Sequence, residues 1–458
     1  MEQATVIIFG ATGDLTKRKI IPALYRLLKN KQVSRLALIG VARKQPEISS
    51  ILQEARQFVG KVNKSSWNKM KGSSYYYQLD FYNRENYQQL EKLLQNVEKK
   101  HRLSGNRLFY LATLPEHFDT ITEHLAATGM AKESSDRWCR LVYEKPFGSD
   151  LASAKKINSC LSRVFKEEQV FRIDHYLGKE LVGNISILRF ANRVLEPLWN
   201  CQHVESIQVI MNEKIGIEGR GNFYDKYGAL KDVIQNHVLQ MMALTCMEAP
   251  KKLSGNYIRE EKAKVLKAAQ VEEVLLGQYE GYTNEPGVDK NSRTETFAAL
   301  KLFIDSPRWK DVPIYLKSGK ELTEKVTAIH IQFKKAACLL NICPTGANVL
   351  TIRVQPNEGF ELSLFTKKPG QQEMTIPVKM DFCHSCITKQ KSPEAYEVLL
   401  ADVITGDQSL FVRNDEIEYA WRIIDSIKRK EVHKYNKGSA GPAKLKEFEQ
   451  KNKMKWLS

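Results

Sequence analysis

Thr5-Val-Ile-Ile-Phe9, followed by Gly10-Ala-Thr-Gly13-Asp-Leu15 and then by apolar Ile20, Ile21, Leu24, Leu27 and Leu28, decides the fold. The first run is short, apolar and rich in β-branched residues. The last set recurs at three- and four-residue steps, which is helical spacing. Pro22 stands early in that helix, where its missing N–H is least felt. Between them Gly10-x-x-Gly13 links strand to helix. Glycine allows close backbone approach to a pyrophosphate, and a helix N-terminus supplies N–H groups and a positive dipole. The turn lacks the full G-x-G-x-x-G fingerprint, and a glycine turn is often only a turn. Its place between strand and helix favours dinucleotide binding.

Outward from this stretch, a second buried-strand run at Leu36–Val41 ends in Ala42-Arg43-Lys44. NAD enzymes usually carry Asp or Glu there to accept the ribose hydroxyls. Two cations at that point suit a 2′-phosphate, since a guanidinium matches phosphate geometry. The plainer alternative is a basic strand end on a basic protein; given the glycine turn, NADP is preferred. Apolar runs at Leu108–Ala112 and Arg140–Tyr143 alternate with helical patterns near 85–101, 117–128 and 150–169. That alternation predicts a doubly wound, mostly parallel sheet. Beyond about residue 200, segments 204–213, 327–334, 348–355, 359–366 and 373–380 read as strands without helices between most of them. They predict an antiparallel sheet. Helical patterns at 229–248 and 393–405 flank them. The fold class is therefore an α/β Rossmann-type dinucleotide-binding domain plus an α+β domain with a large, mostly antiparallel sheet.

The chain has 458 residues, 42% hydrophobic and 27% charged, which is globular composition and enough for two or three domains. No apolar stretch reaches the roughly 18 residues of a membrane span, and Met1-Glu2-Gln3 lacks a basic leader. A cytoplasmic protein is expected. The eight cysteines are scattered and read as reduced thiols. Cys383-His-Ser-Cys386 is a lone C-x-x-C without the further ligands that zinc would need, so no metal is expected. Seventy Lys and Arg against 53 Asp and Glu give a formal charge of +17, which attracts anions of several kinds. The basic stretch 428–458 reads as solvated surface. No nucleic-acid-binding motif is present, and nucleic acid stays a weak alternative.

Three further segments carry chemistry. Glu144-Lys145-Pro-Phe-Gly148 follows the strand at 140–143, at a carboxyl end where ligands sit in open α/β sheets; alone, such a Lys-Pro is usually a turn. Phe171-Arg-Ile-Asp174-His175-Tyr176-Leu-Gly-Lys179-Glu180 packs five ionisable groups and a tyrosine together. If the segment opens a helix, His175 and Lys179 share a face, and with Tyr176 would hold a phosphate. The bland reading is a salt-bridged helix start. Asp232-Val-Ile-Gln-Asn-His237 lies on the long helix, where Ile234, His237, Met241 and Thr245 form one stripe. On its own His237 reads as a core histidine.

In this order the pieces resemble the glucose-6-phosphate dehydrogenase family. Gly-Ala-Thr-Gly-Asp-Leu at 10–15, Gly-Val-Ala-Arg at 40–43, Glu-Lys-Pro-Phe-Gly at 144–148 and Arg-Ile-Asp-His-Tyr-Leu-Gly-Lys-Glu at 172–180 match its pattern. So do Gln-Asn-His at 235–237, Thr-Glu-Thr-Phe at 294–297, Ser-Gly-Lys at 318–320 and Gly-Asp at 406–407. The resemblance implies His237 as general base toward the sugar C1 hydroxyl, with Asp174 orienting its imidazole. It implies His175, Tyr176 and Lys179 at the substrate phosphate, Glu213 and Asp232 at sugar hydroxyls, and Lys320 as a further substrate lysine. Lys325 falls where some members place a second cation, and Lys145 where a lysine bridges substrate and cofactor. Gly10, Thr12, Gly13, Asp14 and Leu15 match the cofactor loop, Arg43 the 2′-phosphate site, and Asp80-Phe81, less closely, the adenine side.

Departures from the family pattern are Lys214-Ile215 for Pro-Phe, Asn222 for glycine, and Lys231 and Lys317 for arginine. Lys317 lacks the bidentate fork of arginine, but no group of the implied mechanism is lost. The expectation is an NADP-binding domain over 1–175 and a substrate-binding and dimerisation domain over 176–458. The implied activity is oxidation of glucose 6-phosphate to 6-phosphogluconolactone with NADP reduction, the entry step of the pentose phosphate pathway. A homodimer is implied, with a tetramer open, and neither nucleic acid nor membrane as partner. Two competitors remain, an oxidoreductase for unphosphorylated sugars and a non-enzymatic binding protein on a decayed enzyme.

Overall fold

The β-branched run at Val6-Ile-Ile-Phe9 is wholly buried, as a strand covered on both faces must be. It ends strand β1 (Glu2–Phe9) in a computed structural model that describes residues 2–44, 47–336, 346–370, 374–383, 392–428 and 431–457. With β2 (Val33–Ala42), β3 (Ser74–Gln78), β4 (Arg107–Leu111), β5 (Cys139–Glu144) and β6 (Val170–Ile173) it forms a six-stranded sheet ordered β3-β2-β1-β4-β5-β6. Every neighbouring pair is parallel. This is the doubly wound order, in which the winding reverses beside β1 and leaves a crevice at the strands' carboxyl ends.

Two of these strands are not evident in the sequence. β3 is Ser-Tyr-Tyr-Tyr-Gln at a sheet edge, half-buried and without alternation. β6 is interrupted by Arg172, which is buried because its guanidinium donates to the Tyr143 hydroxyl at 2.8 Å and to Glu167 Oε1 at 2.6 Å. A buried charge so paired does not break a strand.

The described chain divides into two compact units. The first holds residues 1–178 and also Lys252–Arg259 and Pro393–Glu418. Its core shows why the late segment belongs: Tyr396, Leu399, Leu400, Val403, Ile404 and Phe411 pack in one cluster with Val6, Ile8, Leu24, Leu28 and Phe171. Phe171 and Phe411 meet edge to face, with centroids 4.9 Å apart.

The second unit holds Lys179–Lys251, Glu260–Ser392 and Tyr419–Ser458. Its sheet has nine strands among the described residues: β7 (Val204–Asn212), β8 (Ala269–Tyr279), β9 (Phe297–Ile304), β10 (Ile314–Gly319), β11 (Val326–Phe333), β12 (Val349–Gln355), β13 (Gly359–Lys367), β14 (Thr375–Cys383) and β15 (Val432–Tyr435). The order is β14-β13-β12-β11-β7-β10-β9-β8-β15. Pairing is antiparallel except for β7 with β10 and β8 with β15. Against it packs a segment that is helical from Gly221 to Cys246 in three parts: Gly221–Ala229, a wide π-type stretch Leu230–Val238, and Leu239–Cys246. Gly228 joins the first two at φ 64° and ψ −175°, a conformation that favours glycine.

The sequence reading of the far C-terminal region as solvated surface is overturned. Tyr435, Leu445 and Phe448 are buried in the second unit's aromatic core, with Met454 and Trp456 packed on it. Lysines dominate the composition there, and several pair with acidic or amide side chains, as Lys451 does with Glu273 at 2.9 Å. The fully reduced set of cysteines is corrected too: Cys139, Cys160, Cys201 and Cys246 are free thiols, whereas Cys383 is disulfide-bonded. Cys338, Cys343 and Cys386 lie outside the described residues. No described helix is long and apolar enough to cross a membrane.

Phe411→Ala should remove the contact that ties Pro393–Glu418 to the first sheet. The expected loss is about 3–5 kcal/mol, read as a lower urea midpoint at unchanged slope; an unchanged midpoint would show that the segment adds no stability.

Candidate active site

In the first unit, parallel strands place all their carboxyl ends along one edge, so the residues that follow them gather there. β1 runs into Gly10, β2 into Arg43, β3 into Asp80 and Phe81 just beyond, β5 into Lys145, and β6 into Asp174. Gly10 has φ 91°, and a Cβ there would lie 2.3 Å from the Ala112 carbonyl oxygen, which no side chain tolerates. The Gly13 amide closes the turn on the Gly10 carbonyl at 2.9 Å, and the Thr16 hydroxyl donates to the same carbonyl at 3.3 Å. Thr12 and Leu15 are half-buried and Asp14 is exposed, paired with Arg18 at 3.3 Å. This bare, tightly closed cradle fits the pyrophosphate of a dinucleotide.

Arg43 and Lys44 are both exposed beside the cradle's edge. The Gln78 side chain donates to the Arg43 carbonyl at 3.0 Å, which anchors that residue at its backbone. Phe81 is buried with its ring 6.1 Å from that of Phe9, while Asp80 is exposed and accepts the Tyr82 amide at 3.1 Å. Next to Lys145, burial raises the Glu144 carboxyl to about 7, against the opposing pull of hydrogen bonds from Tyr110 and Tyr396 and the Lys145 charge. Asp174 is 1% exposed and its Oδ1 accepts the Tyr176 amide at 2.9 Å. The His175 and Tyr176 rings lie 5.0 Å apart, Tyr176 buried and His175 half-buried.

In the second unit, the parallel pairing of β7 with β10 sets Asn212 opposite Gly319. The next residues, Glu213 and Lys320, therefore emerge side by side and form an ion pair. The Lys320 ammonium also lies 5.3 Å from the centre of the Tyr224 ring, a cation–π contact. β11 begins opposite Asn212, which puts Lys325 at the same strand edge. Lys179 donates to Gln355 Oε1 at 2.5 Å, and Gln355 in turn donates to the Thr327 hydroxyl at 3.1 Å. Burial lowers the Lys179 amine to about 8; Glu358 opposes the shift and the charge of Lys325 adds to it.

Asp232 and His237 lie on the wide stretch Leu230–Val238, 6% and 2% exposed. Residues five apart would be roughly 140° apart on an α-helix. The i to i+5 hydrogen bonding of a π-type turn brings them toward one face, and such turns recur at functional sites. The stretch packs on β7 and β10, the strands that end in Glu213 and Lys320. The Tyr224 phenol is pushed well above its ordinary value, by burial first and then by Asp232, Glu295 and Glu213. Asp232 and Glu213 thus both act on one buried ring.

One sequence expectation fails on geometry. The segment 171–180 does not open a helix: β6 ends at Ile173, His175 to Gly178 form a turn, and the helix starts at Glu180 with Lys179 as its extended N-cap residue. Helical spacing cannot set His175 and Lys179 on one face. Sequence reasoning missed Gln355, Tyr224 and Glu295. The first ends a strand with clean alternation and precedes a proline, the only signal it offered.

The chain matches known proteins along nearly all of its length. The family profile described as glucose-6-phosphate dehydrogenase, NAD binding domain, fits residues 7–184, and that of the C-terminal domain of the same family fits 186–457. The chain belongs to the glucose-6-phosphate dehydrogenase family. It is 41% identical to glucose-6-phosphate 1-dehydrogenase of Chlamydia muridarum, covering 92% of this chain and 89% of the relative. It is 39% identical to the enzyme of that name from Bacillus subtilis, over 99% and 98%. A solved glucose-6-phosphate dehydrogenase in complex with its substrate glucose 6-phosphate superposes with a TM-score of 0.91 at 33% identity, covering 100% of this chain and 99% of that one.

Family membership and the Gly10 cradle together make the first unit a nicotinamide-dinucleotide domain. Gly10→Ala should fold less stably and bind the dinucleotide at least about tenfold more weakly, measured by fluorescence titration of the reduced cofactor; unchanged affinity would move the pyrophosphate elsewhere. Lys179 loses its charge as pH rises through about 8. If Lys179 and Lys325 hold an anion, affinity for sulfate, whose charge is constant in this range, should fall about five- to tenfold between pH 7 and 9, and Lys179→Arg should flatten the profile, as read by competition kinetics or calorimetry.

Proposed function

We propose that the protein is a glucose-6-phosphate 1-dehydrogenase that oxidises glucose 6-phosphate at C1 and uses NADP. The observation that carries the reading is the second unit's edge. A buried histidine and carboxylate sit on a helix packed against the two strands that lead into Glu213 and Lys320; Lys325 precedes β11 beside them, and Lys179 reaches the end of β12 through Gln355. Such an array suits a sugar that carries a phosphate.

In this mechanism His237 takes the proton of the C1 hydroxyl, and Asp174 orients the imidazole and stabilises its charged form. As the C1–O bond becomes a carbonyl, the C1 hydrogen leaves with its electron pair, and the product is the 1,5-lactone. The bound nicotinamide supplies the hydride acceptor. Lys179 and Lys325, with His175 and Tyr176, hold the substrate phosphate; Glu213, Asp232 and Lys320 hold hydroxyls; Lys145 bridges substrate and cofactor. Gly10, Thr12, Gly13, Asp14 and Leu15 wrap the pyrophosphate, Asp80 and Phe81 border the adenine, and Arg43 takes the 2′-phosphate, which favours NADP over NAD. The N-terminal domain then binds cofactor, and the C-terminal domain binds substrate and pairs in a homodimer.

The test is NADPH formation with purified protein, NADP and glucose 6-phosphate, beside NAD, free glucose and His237→Asn. Turnover should need the phosphorylated sugar, prefer NADP, and fall at least about a thousandfold in the variant. Equal rates with free glucose would instead favour an oxidoreductase for unphosphorylated sugars.

A further inference from the structure

The Thr294-Glu-Thr-Phe297 motif has no part in the mechanism above, yet it touches both Lys320 and the start of the helix that carries Asp232 and His237. The Thr294 hydroxyl donates to the Asp225 carbonyl at 2.6 Å. The Lys320 amide donates to the Thr296 carbonyl at 2.9 Å, and Phe297 pairs with Gly319 across β9 and β10. Glu295 between them turns the other way. Its Oε1 accepts the Leu230 amide at 3.0 Å, and its own carbonyl accepts the Ala229 amide at 2.9 Å. These are the first N–H groups of the helix that carries Asp232 and His237, groups with no partner inside that helix.

Gly228 makes the contact possible. With φ 64° the backbone turns sharply, and a Cβ there would stand 2.3 Å from Glu295 Oε1 and 2.9 Å from Oε2. The carboxylate occupies the space where any other residue would carry its side chain. Burial raises the Glu295 carboxyl to about 7, and the Leu230 amide and the charge of Lys231 pull it back. A carboxyl held at such a desolvation cost beside a helix start caps it through the hydrogen bond it accepts from the Leu230 amide.

We propose that Glu295 is a positioning residue: by holding the Leu230 and Ala229 amides at Gly228, it fixes where the helix presents Asp232 and His237 to the substrate. The proposal rests on the assignment of those two residues given above. A displacement of about 1 Å at a reacting group can cost about a hundredfold in rate.

Glu295→Ala should lower kcat by about 10- to 100-fold and raise KM for glucose 6-phosphate at least about threefold, with KM for the dinucleotide unchanged. Glu295→Gln keeps an acceptor oxygen for the Leu230 amide and should restore kcat to within about threefold of the parent. An alanine variant with parent kcat and KM, or a glutamine variant as impaired as alanine, would overturn the proposal. Should the alanine variant fail to fold, Glu295→Asp withdraws the carboxylate by one methylene and should still lower kcat about tenfold; parent kcat there overturns it equally. His237→Asn runs in parallel. Retained activity in that variant overturns the base assignment and the proposal with it, whereas lost activity there beside an unaffected Glu295→Ala overturns the proposal alone.

Discussion

A helix buried on nearly every side, and nevertheless carrying Asp232, Gln235, Asn236 and His237, is the constraint around which the second unit is organised. Polar groups removed from water must be paired, or their desolvation is uncompensated. A helix in that position is also fixed against β7 and β10, so its start must be closed by groups from the sheet rather than by solvent. Gly228, Glu295 and the wide turn are three parts of one solution. The glycine admits the carboxylate, the carboxylate meets the Leu230 amide while the Glu295 carbonyl meets that of Ala229, and the wide turn swings two residues five apart toward the same side. Polar placement here is a matter of backbone geometry before it is one of chemistry.

The cations of the same unit show burial and like charge acting in one direction. Lys179 is lowered to about 8 by burial and by Lys325, and Lys317 to about 8 by burial alone, with Glu324 and Glu449 opposing. Near Lys317, burial first and that lysine second lower His330 to about 4, which keeps the imidazole neutral. A buried lysine held short of full charge gains most when an anion arrives, because the anion offsets both the lost hydration and the neighbouring cation. Of the chain's basic surplus, these few desolvated ammonium groups matter more than the many exposed ones, whose field salt screens.

How much the residues alone reveal depends on what kind of signal each element leaves. The Gly10 turn is legible because strand, glycine and helical spacing are all local. The strand ends Arg43 and Lys145 are legible once the sheet is read as parallel, whereas Asp174 is not, because β6 before it is not evident. β9 is not: Phe-Ala-Ala-Leu-Lys-Leu-Phe-Ile is covered on both faces, and a continuous apolar run does not separate strand from helix. β8 follows the helix Gly255–Ala268 without a break, so no turn residue announces it. The wide turn at 230–238 leaves no composition signature, and the stripe Ile234, His237, Met241 and Thr245 continues through it. His237 consequently reads as a packed core residue until the family pattern is recognised. Glu295, flanked by two threonines, carries no hint of a helix start 65 residues earlier.

The first unit is discontinuous, and this has a consequence for how the chain comes into being. Its core takes Tyr396, Leu399, Val403 and Phe411 from a segment that begins at Pro393. On a ribosome adding roughly 5–20 residues per second, the roughly 200 residues after Gly178 take about 10–40 s to emerge. During that interval Phe171, Leu24 and Leu28 face water or a chaperone rather than their final neighbours. The nascent dinucleotide fold therefore waits, with apolar surface uncovered, for a helix whose codons lie beyond most of the second unit.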